Sequence, residues 1–184
     1  MNGAVAFLTF VTFQRFIEFI WDLDNTKRLR AAGAIEFGGM HYPAVMLVHA
    51  AWLAGLWVLG HDREVVPAYL IAFLVLQIAR YWVLATLGRR WTTRVIVLPG
   101  APLIDRGPYR LMRHPNYVIV AGELVLMPLA LGLPVYALVF LALYAGAAYL
   151  RIQVENVALS WAPKSSAPKE KQIKGQAQQV EAGG

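Results

Sequence analysis

From Tyr117 to Leu150 the chain runs for roughly 35 residues without a basic side chain, and Glu123 is its only charge. One helix needs roughly 20 apolar residues to cross a bilayer, so this run is too long for a single crossing. Gly132-Leu-Pro134 divides it, because proline cannot continue a helix and glycine supports a tight turn. The expected product is a helical hairpin, spans 116–131 and 134–155, that returns the chain to the side it came from. A backbone in hydrocarbon must satisfy its own hydrogen bonds, which leaves helices or a closed barrel. Apolar runs of this length decide for helices.

Three further runs extend the pattern, at about 3–21, 42–60 and 65–87. The expected fold is all-α: a polytopic integral membrane protein of about five transmembrane helices, with a C-terminal helical hairpin and a long cytoplasmic loop. Residues 1–162 form a single transmembrane domain, and the Pro-, Lys-, Ser-, Gln- and Gly-rich stretch 163–184 is a disordered cytoplasmic tail. The balance of 58% hydrophobic and 15% charged residues lies outside the range of a soluble domain of 184 residues. A formal charge of +6 would suit a nucleic-acid partner if it formed one polar face, but the basic residues sit between apolar blocks. They read as topology signals, and no nucleic acid is expected. The chain has no cysteine, which removes disulfides, thiolate nucleophiles and Cys-ligated metals.

Basic residues fall unevenly among the loops. Lys27, Arg28 and Arg30 lie in the first, six arginines between Arg89 and Arg113 in the third, only Arg63 in the second, and none in the hairpin turn. The positive-inside rule then puts the first and third loops and the C-terminus in the cytoplasm and the N-terminus outside. Met1 to about Trp21 lacks a basic start and a cleavage site and reads as a retained first helix. Within it Arg15 and Glu18 are three apart on one face and read as a structural ion pair facing the bundle. Asp22 to about Gly39 reads as a loop or short surface helix, and Gly88–Arg113, punctuated by Gly and Pro, as a loop folded back against the membrane face. Gln77 and Arg80 are polar interruptions of the third run. With no carboxylate at metal-ligand spacing, His41 and His49 read as interface or helix-contact residues, and no metal site is expected.

Chemistry concentrates at two polar clusters that the hairpin makes neighbours. One is Gly107-Pro-Tyr-Arg-Leu-Met-Arg-His-Pro-Asn-Tyr117; the other is Arg151 with Glu155, four apart on one helix face. Arginines and His114 suit a carboxylate, Glu155 suits an ammonium, and the aromatic rings suit a planar group. Glu123, alone in hydrocarbon, is a functional candidate by default. It has an alternative reading as a carboxyl bonded to a neighbouring helix. His114-Pro115 also reads as a simple helix start, and Arg151/Glu155 as a surface pair. Physical argument alone reaches a membrane protein with a polar cytoplasmic pocket.

Arg113-His-Pro-Asn-Tyr117 after Gly107-Pro-Tyr-Arg110, then a hairpin and Arg151-Ile-Gln-Val-Glu155-Asn-Val-Ala-Leu159, resembles the isoprenylcysteine carboxyl methyltransferase family over about Tyr81 to Leu159. The resemblance implies S-adenosylmethionine as methyl donor, bound by Tyr109, Arg113, His114, Pro115 and Tyr117. Arg151 and Glu155 would be the catalytic pair, orienting the acceptor or the amino-acid end of the cofactor. Glu123, Arg90 and Trp91 stand as candidate acceptor contacts. Asn156 departs from the family, which often has a second acidic residue there. Arg80-Tyr-Trp-Val83, Thr86–Thr93 and Leu98–Leu103 are similar to the bacterial branch, some members of which methylate alkylpyrone or alkylresorcinol hydroxyls. That branch implies a lipophilic small-molecule acceptor entering from the bilayer of the bacterial cytoplasmic membrane, with isoprenylcysteine as the alternative. For a neutral hydroxyl acceptor the candidate bases are His114 and Glu155. A basic scaffold on anionic lipids and a small membrane reductase sharing the Arg-His-Pro-x-Tyr element are the rival readings.

Overall fold

The computed structural model describes residues 2–39 and 42–160; His41 and the tail from 163 lie outside the described residues. Among the described residues six α-helices follow in chain order: α1 (Gly3–Ala31), α2 (Tyr42–Gly60), α3 (Pro67–Leu87), α4 (Pro108–Leu111), α5 (Pro115–Ala130) and α6 (Pro134–Ser160). Among the described residues, α1, the helix from Pro67 and its short continuation to Arg90, α2 and α6 are long and apolar enough to cross a membrane. The hairpin's first arm, α5, has 16 residues. At 1.5 Å per residue it measures about 24 Å, shorter than the hydrocarbon core. Phe13, Leu47, Ile78, Val135 and Leu138 are exposed on the outside of the bundle, as a bundle solvated by lipid requires. The protein is an all-α polytopic membrane protein.

Two segments differ from the sequence reading. The first helix does not end near Trp21 but continues to Ala31, because Asp22, Asn25 and Thr26, at i, i+3 and i+4, form a polar face that is buried and not solvated. Asp22 Oδ1 accepts from the Thr93 backbone N–H at 2.6 Å, and Asn25 Nδ2 donates to the Trp91 carbonyl at 2.8 Å. Gly33, at φ 85°, closes the helix with its preceding carbonyls taken by Ala32 and Ala34.

The second difference is a two-stranded antiparallel ribbon, β1 (Ile35–Phe37) with β2 (Val95–Val97), pairing Ile35 with Val97 and Phe37 with Val95. It joins the two basic loops. Three-residue strands of Ile, Val and Phe are too short to announce themselves against the surrounding apolar runs. The ribbon is fastened by Glu36, which accepts from both Arg30 and Arg94. Burial alone would raise the Glu36 carboxyl, but the two guanidiniums hold it below its ordinary value. A carboxyl lowered on folding stabilises above its unfolded value and loses that contribution as pH falls through the folded one. Ribbon amides are therefore expected to lose hydrogen-exchange protection below the ordinary carboxylate range, and Glu36→Gln to remove that pH dependence.

Hydrogen bonds identify the bundle's two ends. At one, Asn2 Nδ2 donates to the His61 carbonyl at 2.9 Å and Val66 N–H to the Ala130 carbonyl at 2.8 Å, so the N-terminus, the α2–α3 turn and the hairpin turn lie together. At the other end lie the ribbon, the 88–114 segment and the C-terminal part of α6, tied by Arg151 donating to the Thr93 carbonyl. The core between them contains Leu8, Val11, Leu56, Phe73, Leu124 and Met127. Tyr136 closes against Gly55, whose missing Cβ leaves room for the phenol that donates to the Trp52 carbonyl at 2.8 Å.

Candidate active site

Pro115 begins α5 at the position where its absent N–H costs nothing and its fixed φ favours a helix. It is buried, and it leaves His114 as the capping residue and Asn116 and Tyr117 in the first turn. Upstream, Gly107 at φ 57° turns the chain into α4; a Cβ there would meet Thr86 Oγ1 at 2.6 Å. The hairpin then returns α6 alongside α5. His114 Nδ1 comes to 3.3 Å from Glu155 Oε2, and the His114 and Tyr117 rings meet edge to face at 5.7 Å. Arg151 Nε donates to the Tyr117 hydroxyl at 2.9 Å, while the Glu155 charge reaches both Tyr117 and Tyr109. Burial, reinforced by Glu155, raises the Tyr109 phenol, so it remains a neutral donor at physiological pH.

The His114–Glu155 approach is not an aligned hydrogen bond. His114 Nδ1, Glu155 Oε2, Asn116 Oδ1 and Asn156 Oδ1 are all buried without a hydrogen-bond partner. Buried polar atoms normally have partners, and four orphans around one helix junction form a set able to hold a small ligand with donors of its own. Among them are a carboxylate and two amide oxygens, which fit an ammonium and hydroxyls. S-adenosylmethionine has both, and the residues present fit it.

Next to this niche, a cavity of about 400 Å³ lies between α1, α2, α5 and α6. Tyr117, Asn116 and Arg151 line it from the niche side, Trp91 and Thr93 from the loop, and Phe16, Phe19, Met46 and Leu53 supply an apolar wall. A smaller cavity of about 130 Å³ lies beyond Arg151, between the ribbon, α2 and α6. There the Arg94 guanidinium covers the Tyr42 ring at 3.8 Å. Arg151 lines both cavities.

At the depth of the main cavity lies a closed charge network. Arg80 grips Glu18 through two hydrogen bonds, Nε to Oε1 at 2.7 Å and Nη2 to Oε2 at 2.6 Å, and donates to Glu123 at 2.9 Å. Arg15 bridges the same carboxylates at 2.9 and 2.7 Å. Gln77 donates to Glu123 at 2.7 Å and accepts from Gln14 at 2.6 Å. Two guanidiniums and two carboxylates leave it neutral, the condition under which ions are tolerated in hydrocarbon.

The residues singled out from the sequence thus fall into three places. Tyr109, His114, Pro115, Tyr117, Arg151 and Glu155 converge at the α5–α6 junction; Arg113 flanks it and is exposed. Glu123 and Trp91 line the cavity, but both carboxylate oxygens of Glu123 are already engaged, and Trp91 packs on Trp21 at 5.5 Å. Arg90 is not a cavity residue: it is exposed, and its guanidinium donates to the Pro102 carbonyl at 2.8 Å. The pairing of Arg15 with Glu18 is present at 2.9 Å, but as part of the larger network. Gln77, Arg80 and Gln14 were legible only as polar interruptions. Their helical spacing, Gln14/Glu18 and Gln77/Arg80, was the available signal, since polar faces on two apolar helices have to meet each other.

The profile of the isoprenylcysteine carboxyl methyltransferase family matches residues 69–161. The chain is 37% identical over 151 residues to the uncharacterized protein YpbQ of Bacillus subtilis, a match covering 79% of this chain and 90% of that protein. It is 27% identical over 152 residues to an uncharacterized protein of Haemophilus influenzae, covering 79% and 88%. No solved structure matches it. The matched segment contains the whole α5–α6 junction, and the chain belongs to the isoprenylcysteine carboxyl methyltransferase family of membrane methyltransferases.

Proposed function

We propose that this protein is an S-adenosylmethionine-dependent O-methyltransferase of the bacterial cytoplasmic membrane. Its acceptor is a lipophilic hydroxyl or carboxyl compound, with a long-chain alkylpyrone or alkylresorcinol favoured over isoprenylcysteine. The observation that carries this reading is the adjacency of the two spaces: a niche with four unpartnered polar atoms and an apolar cavity of about 400 Å³ sharing Tyr117 and Arg151 as their wall. Both sit at the end of the bundle that bears the arginine-rich loops, which by the positive-inside rule is cytoplasmic.

S-adenosylmethionine, when bound, supplies an electrophilic sulfonium methyl. Glu155, Asn116 and Asn156 would hold its amino-acid end, and Tyr109, His114 and Tyr117 would frame its rings. Arg113, at the rim, would meet its carboxylate. Arg151 is fixed by Tyr117 on one side and Thr93 on the other, and so orients an acceptor oxygen at the wall without drifting. Membrane lipids surround the apolar rim at Phe16 and Phe19 and provide the acceptor's route of entry. Positioning two reactants in this way substitutes for effective molarities of about 10⁵ M or more.

The test is calorimetric binding of S-adenosylmethionine to the detergent-purified full chain, followed by methyl transfer to an alkylpyrone, an alkylresorcinol and a farnesylcysteine analogue. Binding with transfer to the first two is expected. Folded protein that binds no cofactor at millimolar concentration overturns the reading.

A further inference from the structure

Neither His114 nor Glu155, the bases suggested by the sequence, lines the cavity that would take the acceptor; they face each other in the niche. The carboxylates that do line it, Glu18 and Glu123, are tied to Arg15 and Arg80, and Arg151 is engaged by Tyr117 and Thr93. The imidazole of His49, on α2, is different. Its Nδ1 lies 2.8 Å from the Val45 carbonyl oxygen. A carbonyl can only accept, so Nδ1 carries the proton, and in a neutral ring Nε2 is then a bare lone pair. The ring lines the cavity and packs edge to face on Tyr144 at 6.0 Å. Tyr144 in turn donates to the Tyr117 carbonyl at 3.1 Å, which places His49 beside the wall shared with the niche.

Resting on the methyltransferase reading above, we infer that His49 is the general base of the acceptor site and that the acceptor enters as a neutral phenol or enol. The groups facing His49 are Arg15 and Glu18 on α1, Arg80 on α3, Glu123 on α5, and Tyr144 and Arg151 on α6. Arg15 and Arg80 with Glu18 and Glu123 are mutually neutralised, which leaves no uncommitted cation to bind an acceptor carboxylate at depth. In the transfer the acceptor O–H proton passes to His49 Nε2 as the oxygen–methyl bond forms. The sulfonium–methyl bond breaks with its electron pair going to sulfur. The products are a methyl ether, a neutral thioether and an imidazolium that returns its proton to water. His49 precedes the matched family segment, so the α5–α6 motifs do not specify it.

The experiment compares wild type and His49→Gln, both full-length in detergent, with two acceptors of equal chain length: an alkylresorcinol and an alkyl carboxylic acid. For the resorcinol, His49→Gln is expected to lower kcat about 10²–10⁴-fold, the usual size of general-base assistance, with S-adenosylmethionine affinity unchanged. It should also abolish the acid limb of the kcat–pH profile. Without methyl donor, the His49 imidazole ¹⁵N resonance of wild type should shift on adding the resorcinol. Equal kcat in the two proteins, or equal losses for resorcinol and carboxylic acid, overturns the base assignment alone. Absence of transfer by wild type to either acceptor, with no cofactor binding, overturns the underlying enzyme reading as well.

Discussion

Glu155→Ala is expected to lower kcat/KM for methyl transfer about 10²–10³-fold and to weaken S-adenosylmethionine binding in the same proportion. The side chain is partly exposed, and its Oε2 has no hydrogen-bond partner within the protein. Its removal loses only partly exposed polar contacts to His114 and Tyr117, and the stability cost should be about 1 kcal/mol. What it removes is the one carboxylate in the niche available to an ammonium. Truncating one member of a hydrogen-bonded charge pair with its ligand costs about 2–5 kcal/mol, a range that contains the stated loss at about 1.4 kcal/mol per tenfold. Glu155→Gln keeps the shape and an acceptor oxygen but not the charge, and should fall between. His114→Ala should cost less, about tenfold, because an imidazole contributes ring contact and one hydrogen bond instead of a full charge. Titration calorimetry with the cofactor and radiolabelled methyl transfer separate binding from turnover. If turnover by Glu155→Ala and His114→Ala matched wild type, the niche at the α5–α6 junction would not be the cofactor site.

How much of this was readable beforehand depends on the range of the interactions. The hairpin followed from a local pattern, Gly132-Leu-Pro134 inside an apolar run, and the convergence of His114 and Glu155 followed from the hairpin. Positions four apart on one helix, such as Arg151 and Glu155, share a face whatever the fold. The continuation of α1 past Trp21 was not readable, because Asp22 and Asn25 look like solvated polar residues until the 88–93 segment is known to lie on them. Nor was the role of Arg80. A single arginine in an apolar helix looks like a snorkelling residue, and only the pairing of three helices shows that it meets two carboxylates 62 and 43 residues away. His49 was likewise read as an interface or helix-contact residue; its ring does pack on Tyr144 of α6, and its Nδ1 bonds to Val45 one turn back in its own helix. That bond is also what fixes the tautomer and leaves the other nitrogen bare on a ring that lines the cavity, a consequence that needs the geometry.

The largest stability effect should come from Arg80→Leu, at about 3–5 kcal/mol. Arg80 is 4% exposed and makes three of the hydrogen bonds that hold Glu18 and Glu123. Without it those two carboxylates share Arg15 alone, and one negative charge is uncompensated inside the bundle. Breaking a buried ion set by removing one partner costs about that much because the remaining charge loses its counter-ion and not its burial. Uncharged interhelical hydrogen bonds in membranes average only about 0.6 kcal/mol, since the unfolded chain in lipid finds partners too. A full charge has no such substitute. The contrast yields a second variant that isolates the cause: Arg80→Leu with Glu123→Leu leaves Arg15 paired with Glu18 and the site neutral, and should recover more than half of the loss despite removing more hydrogen bonds. Unfolding by denaturant in mixed micelles measures both. If the double variant were less stable than the single, the cost would arise from lost contacts at Glu123 and not from unbalanced charge. Recovery would mean that charge balance among α1, α3 and α5 sets how these helices assemble, and with them the wall on which His49 and Tyr117 face the cavity.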